Sequence, residues 1–251
     1  ILSPAQLPKC ILTVIIKLKI SGVSGNFPGR GPDSPLTLAQ DGWLYGVTPA
    51  GGAGNFGTVF KVSPAGEFAA VYSFTGGSSG SVPQGLVQHT DGNFYGVTMA
   101  GGSGGFGTVF RLTPAGVLTT LMEFTGTSGA HKGASPAGIL TFSGNTLYGV
   151  TREGGASNLG TVYSLTTSGT WNLLVEFTGT AGAKPGESPV GGLLLNTDGA
   201  LYGLTEWGGA NGFGTAYKLT TGGTFTALRS FADATGSQPA GRLVRGTDGQ
   251  L

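Results

Sequence analysis

Glu153 and Glu206 fall at closely matched places in the chain, within the two residues that precede a Gly-Gly pair. Cleaving a glycosidic bond takes two carboxyl groups on either side of the scissile bond, so these two form the pair that a carbohydrate-active enzyme would use. Arg152 precedes Glu153, and Trp207 follows Glu206. An indole plane flanked by charges of both signs suits a sugar or a peptide. His131 and Lys184, with Lys132 and Glu187, sit in nearby loops of variable length. The candidate ligand-binding set is therefore Trp207, Glu206, Arg152, Glu153, His131 and Lys184. Solvated surface charge is the simpler account of the two carboxylates, and gap-filling between repeats the simpler account of Trp207.

Other chemistry is argued against. Gly102 to Val109 fits the glycine-rich loop that covers nucleotide phosphates in kinases, and so does Gly52 to Val59. No Val-Ala-x-Lys strand, His-Arg-Asp loop or Asp-Phe-Gly accompanies either, and no helix-opening or Gly-Lys-Ser/Thr signature is present. His89 and His131 are the chain's two histidines and lack the neighbouring ligands of a metal site. The Asp-Gly turns each offer one carboxylate, whereas Ca²⁺ needs several converging oxygens. No catalytic residue, metal or cofactor is assigned.

The elements that carry these residues repeat. The tyrosines at 45, 95, 148 and 202 and the threonines at 58, 108, 161 and 215 both advance by 50, 53 and 54 residues. Such a period signals a tandem architecture. Within it, a Tyr-Gly strand (Trp43 to Thr48) runs into a glycine loop that always takes ten residues from Thr to Thr. A strand from Thr58, a Ser-Pro-Ala-Gly turn, a strand ending at Phe74 and a Pro-x-Gly-Leu strand complete the unit. Asp-Gly between apolar runs, at Asp41, Asp91, Asp198 and Asp248, predicts type I′ hairpin turns. Ser143-Gly144-Asn145 takes that place in the third copy.

Four strands per unit, hairpin connections, apolar residues on both strand faces and no amphipathic helix predict an all-β protein. The architecture is a β-propeller of four-stranded antiparallel blades, with about 50 residues per repeat as in kelch-type blades. Four complete repeats are expected at about 43–88, 93–141, 146–195 and 200–246 within a repeat region 35–251, with partial ones beside them. Residues 1–34 read as an irregular segment and possible degenerate repeat end, with an edge strand over 11–16. The strand glycines at 46, 96, 149 and 203 suit the innermost strand, where blades converge. The start at Ile1 and the end at Gln250-Leu251 lead us to expect further blades in a longer parent protein.

Composition narrows the partners. Gly supplies 50 of 251 residues and charged residues only 10%, with a net charge of +1. That balance argues against nucleic acid or an anionic membrane surface. The apolar run 11–16 is too short to insert in a membrane, and Cys10 alone makes no intrachain disulfide.

The phrase D-G-x-L-Y-G-x-T-x-x-G-G-x-x-x-x-G-T-V-[FY]-x-L-T, followed by F-T-G and Pro-x-Gly-Leu, resembles the GloVer repeat of bacterial choice-of-anchor tandem-repeat proteins. The resemblance covers about 35–251. It implies an exported protein held at the cell surface by an anchor, with no assigned activity. The expected function is a non-enzymatic, surface-exposed binding or adhesion module for a glycan or protein. A propeller-type lyase or glycosidase and a purely structural spacer are the alternatives. Loop lengths point to the binding face. The connections from Phe74, Phe124, Phe177 and Phe231 to the next Pro vary and share one end of the blades with the glycine loops, whereas the hairpins share the other.

Overall fold

The computed structural model describes residues 29–248. Cys10, the expected edge strand over 11–16 and the residues from Gly249 onward lie outside the described residues.

The strands are β1 (Gly29–Arg30), β2 (Thr37–Leu38), β3 (Leu44–Thr48), β4 (Ala50–Gly51), β5 (Thr58–Val62), β6 (Phe68–Ser73), β7 (Ser81–Gln88), β8 (Phe94–Ala100) and β9 (Thr108–Leu112). They continue as β10 (Leu118–Glu123), β11 (Ala134–Ser143), β12 (Thr146–Glu153), β13 (Thr161–Thr166), β14 (Trp171–Glu176), β15 (Glu187–Leu195), β16 (Leu201–Trp207), β17 (Thr215–Leu219) and β18 (Phe225–Ser230). Among the described residues the only helical turns are two 3₁₀ segments, Gly77–Ser79 and Asp233–Thr235.

Sixteen of these strands form four antiparallel sheets of four, in the orders β2-β3-β5-β6, β7-β8-β9-β10, β11-β12-β13-β14 and β15-β16-β17-β18, and β1 pairs separately with β4. The third and fourth touch through parallel β11 and β15 at Ile139 and Gly192. The first strand of each sheet is thus the inner one, and the sheets are propeller blades. The sequence period is offset from the sheet by one strand, because the Pro-x-Gly-Leu segment that closes a sequence unit opens the next blade.

The core lies between blades. Tyr45, Val47, Val59 and Phe74 of the first pack on Leu86, Phe94, Phe110 and Leu112 of the second. Tyr95, Val109, Met122 and Phe124 then meet Leu140, Leu147, Tyr163 and Leu165 of the third. Val150, Val162, Val175 and Phe177 meet Leu193, Leu201, Tyr217 and Leu219 of the fourth. Both faces of a central blade are therefore apolar, as the alternation predicts.

The strand glycines require a correction. Gly46, Gly96, Gly149 and Gly203 lie on the second strand of each blade, not the innermost. They lie under a ring of the third strand: a Cβ would come within 2.6 Å of Phe60 or Phe110 Cζ and 2.4 Å of Tyr163 or Tyr217 Oη. Convergence of blades is met by Gly138, Gly191 and Gly192 instead. A Cβ on Gly138 would lie 2.4 Å from the Gly192 nitrogen, and one on Gly192 2.5 Å from the Ile139 oxygen.

The Asp-Gly junctions also differ from expectation. Ala39 N–H donates to Trp43 O (2.9 Å) and Gly42 N–H to Ala39 O (3.0 Å), and Gly42, not Asp41, has positive φ (+80°). This is a three-residue loop with a left-handed glycine, not a type I′ turn. The carboxylate decides it: Asp41 Oδ1 accepts Trp43 N–H (3.1 Å) and Oδ2 accepts the Tyr45 hydroxyl (2.9 Å). Asp91 and Asp198 do the same for Tyr95 and Tyr202. The third copy has a two-residue loop, with Ser143 opposite Thr146 and positive φ at Gly144 but not Asn145, the type II′ pattern.

Candidate ligand-binding site

The loop end of each blade is built on threonine. Thr98 Oγ1 donates to Ala100 O (3.0 Å), accepts Thr108 N–H (3.2 Å) and lies 2.8 Å from Thr108 Oγ1. Thr48 with Thr58 and Thr151 with Thr161 repeat the paired hydroxyls at 2.8 and 2.7 Å. These pairs are buried and close the glycine loop at its neck, which accounts for the constant ten-residue step. Glu123 and Glu176 secure the loop from the side by accepting Ser103 N–H and Ala156 N–H at 2.8 Å. The Ser103 hydrogen bonds hold the Glu123 carboxyl below its ordinary range. Burial opposes ionisation of Glu176, but the Ala156 amide and the charges of Lys132 and Lys184 outweigh it and lower its pKa.

Each loop is then stapled to the segment that follows its blade. The amides of Val82, Ser135, Ser188 and Gln238, each just before a proline, donate to Phe56, Phe106, Leu159 and Phe213 carbonyls at 3.0 Å. All four donors hold φ between +52° and +58°, an unusual conformation for non-glycine residues and more so for a β-branched one. Gly57, Gly107, Gly160 and Gly214 face the prolines that follow, where a Cβ would lie 2.5 to 2.9 Å from the proline Cδ.

On this frame the residues before Gly-Gly emerge at the ends of β8, β12 and β16. Arg152 Nη1 and Glu206 Oε2 approach to 3.5 Å, linking the third and fourth blades. Trp207 is 40% exposed, and Glu153 is exposed. The other two candidates are turned to the frame. His131 Nδ1 lies 3.2 Å from Glu123 O, with its ring 5.6 Å from Trp171 in edge-on contact. The Lys184 carbonyl accepts Thr178 N–H, and its charge bears on Glu176, which Lys132 Nζ contacts at 3.2 Å. The structure therefore joins Arg152 to Glu206, with Glu153 and Trp207 as their chain neighbours, and sets His131 and Lys184 in the connecting loops.

Sequence reading passed over two features. Phe56 and Phe106 are exposed at this end, their rings over Gly76 and Gly126; the signal is an aromatic just before Gly-Thr in three of the four copies. Arg242 donates from Nη2 to Thr141 Oγ1 (3.2 Å) and Leu193 O (2.9 Å), crossing two inner strands. Loss of water there lowers its pKa. Its signal is a charge where the preceding blades have Ile139 and Gly192. Among the described residues no group of three or more His, Cys, Asp or Glu could hold a metal ion. No helix among them is long and apolar enough to cross a membrane.

A family model described as the Gloeobacter/Verrucomicrobia repeat matches residues 14–141 and again 130–251. The chain belongs to that family. The Gloeobacter/Verrucomicrobia repeat thus covers the described blades in two overlapping passes. A search of curated proteins returns no match. Solved structures are similar in fold. A provisionally assigned gluconolactonase has a TM-score of 0.51 at 19% identity, covering 84% of this chain and 66% of its own. A protein of unknown function from Bacteroides thetaiotaomicron has 0.52 at 16%, covering 84% and 50%. A provisionally assigned TolB from Agrobacterium tumefaciens has 0.50 at 10%, covering 79% and 62%. The chain spans half to two thirds of the length of these structures. At such identities the likeness is one of fold, and the fold is a β-propeller.

Proposed function

We propose that this chain is a non-enzymatic, surface-exposed binding or adhesion module that takes a glycan or protein ligand on the loop end of its blades. The observation that carries the reading is the Arg152–Glu206 bridge between two blades, with exposed Trp207 beside it. The first two blades place Pro49-Ala50 and Met99-Ala100 at the same positions, so the architecture itself does not call for a guanidinium, two carboxylates and an indole. An aromatic face stacks on sugar or peptide, and a guanidinium and carboxylate a few ångströms apart offer donors and acceptors together. The cell-surface setting belongs to the same proposal and rests on the resemblance to anchored repeat proteins.

The carbohydrate-active enzyme reading needs Glu153 and Glu206 to work as a pair. Arg152 already engages one Glu206 oxygen, which favours a binding role. A glycan array and a protein pull-down, each run with the parent chain and with Trp207→Ala, test the proposal. Binding should fall about tenfold or more in the variant, the size of a lost aromatic anchor, with the melting temperature unchanged. A lower melting temperature with unaltered binding would assign Trp207 to packing. Glycan turnover that disappears in Glu153→Gln or Glu206→Gln would replace the module with an enzyme.

A further inference from the structure

At the opposite, hairpin end of the blades the repeat departs from its pattern three times at one interface. The third hairpin is shortened to Gly144-Asn145. His89 occupies the loop-opening position held by Ala39 in the first hairpin and Asn196 in the fourth, as their common N–H bonds across the loop show. Phe142, paired with Leu147, stands where Gln88, paired with Phe94, stands in the second blade.

The first interface shows what these changes remove. There Gln88 Oε1 accepts Gln40 N–H (2.8 Å) and Nε2 donates to Gly92 O (2.9 Å), tying two neighbouring hairpins together. Phe142 has no such groups. Its ring instead stacks on His89, with centroids 4.4 Å apart and planes 27° from parallel. The shortened turn brings no third residue over the gap. What remains is a recess of about 320 Å³ lined by Val87, Gln88, His89, Thr90, Phe142, Gly144 and Asn145.

The His89 ring is held in place from behind. Its Nδ1 lies 3.3 Å from Asp91 Oδ1, and Tyr95 meets the ring edge-on at 6.0 Å. Nε2, 3.5 Å from Thr90 Oγ1, is the nitrogen not engaged by Asp91. The lining thus combines an apolar side, Val87 and Phe142, with polar groups: the Thr90 hydroxyl, the Asn145 amide and the His89 imidazole. No carboxylate, ammonium or guanidinium lines it. Small-ligand sites start at about 300 Å³ and pair apolar walls with a few fixed polar groups. A charged ligand finds no carboxylate, ammonium or guanidinium to pair with in this lining, and a wholly apolar one would cover the polar groups unsatisfied.

We propose that the recess between the second and third hairpins binds a single neutral sugar residue, with Thr90, Asn145 and His89 Nε2 meeting its hydroxyls and Phe142 and Val87 its apolar side. The site is separate from the loop end and stands or falls without it. Saturation-transfer NMR with D-glucose, D-galactose and D-mannose as individual probes tests it on the parent chain and on Asn145→Ala, Thr90→Val and Trp207→Ala. Asn145 and Thr90 are exposed, and thermal melting verifies that each variant is folded. At least one sugar should receive saturation, with affinity reduced about tenfold by Asn145→Ala, the value of one hydrogen bond, and unchanged by Trp207→Ala. No saturation with any of the three, or equal binding by parent, Asn145→Ala and Thr90→Val, would overturn the proposal. Loss of binding in Trp207→Ala alone would overturn it too and assign the sugar to the loop end.

Discussion

The two ends of the blades are fastened by different chemistry. At the hairpin end an ionised carboxylate holds both a backbone amide and a tyrosine hydroxyl, as in Asp91 with Asn93 and Tyr95. At the loop end two neutral hydroxyls, such as Thr98 and Thr108, meet in the buried neck of a glycine loop. The first device titrates and sets an exposed carboxylate over a buried phenol; the second does not titrate and is packed on every side. The hairpin clamp should therefore tolerate steric change and respond to pH, and the threonine neck the reverse.

The sharpest way to break this contrast is one substitution made at both ends. Gly107→Ala would put a Cβ 2.4 Å from Thr98 O and 2.6 Å from Pro136 Cδ, at φ +98°. A loss of about 3 kcal/mol or more is expected in urea denaturation, from the left-handed backbone and overpacking together. Asp91→Ala comes next. It removes the acceptor of two hydrogen bonds, and a loss of about 2 kcal/mol is expected, since a mostly buried phenol loses its partner. Gly92→Ala has positive φ (+83°) but nothing within 4 Å of the new Cβ, so only the backbone cost of about 1 kcal/mol remains. A cost at Gly92 equal to that at Gly107 would erase the distinction.

The pH response sharpens it further. Burial opposes ionisation of Asp91, but hydrogen bonds from Asn93 and Tyr95 and the charge of His89 outweigh it, so its folded pKa lies below 3.8. A depressed carboxyl pKa contributes stability that is present above 3.8 and is lost as pH falls through the folded value. Burial and the Asp91 bond push Tyr95 from 10.0 up to about 12. That contribution is complete below pH 10 and is lost as pH rises toward about 12. Denaturation midpoints of Asp91→Ala should vary less than those of the parent in both windows. Equal pH dependence of parent and variant would show the clamp to be idle.

The smallest expected effect concerns two phenols. Tyr163 and Tyr217 hydroxyls are buried with no hydrogen-bond partner, where the first two blades have Phe60 and Phe110. Burial raises both pKa values. Tyr163→Phe should raise the melting temperature slightly, by up to about 1 kcal/mol in stability, because it removes an unsatisfied group without changing shape. A fall in melting temperature would mean that the hydroxyl has a partner.

The architecture was legible because the period repeats a complete hairpin chemistry. Which glycine meets the neighbouring blade was not. The Tyr-Gly phrase is the most regular, whereas the inner strand reads Gly85-Leu86 in one blade and Gly138-Ile139-Leu140 in the next, one residue longer. The turn type escaped because Asp-Gly is compatible with more than one loop; the carboxylate's two bonds decide it. Arg152, Glu206 and Trp207 stand out as departures, yet the Arg152–Glu206 contact joins residues one whole repeat apart. His89 reads as a lone histidine and Phe142 as a core aromatic until the blades are brought side by side.

The prolines and their left-handed predecessors have a consequence for how such a chain evolves. Each seam is assembled from the same pieces: an amide before a proline, a loop carbonyl and a glycine beneath the proline ring. A gene that gains or loses one whole period therefore still presents matching seams on both sides of the splice. Copy number is free to drift by duplication while every new junction is already compatible. Variation between copies is then left to the few side chains that no seam uses.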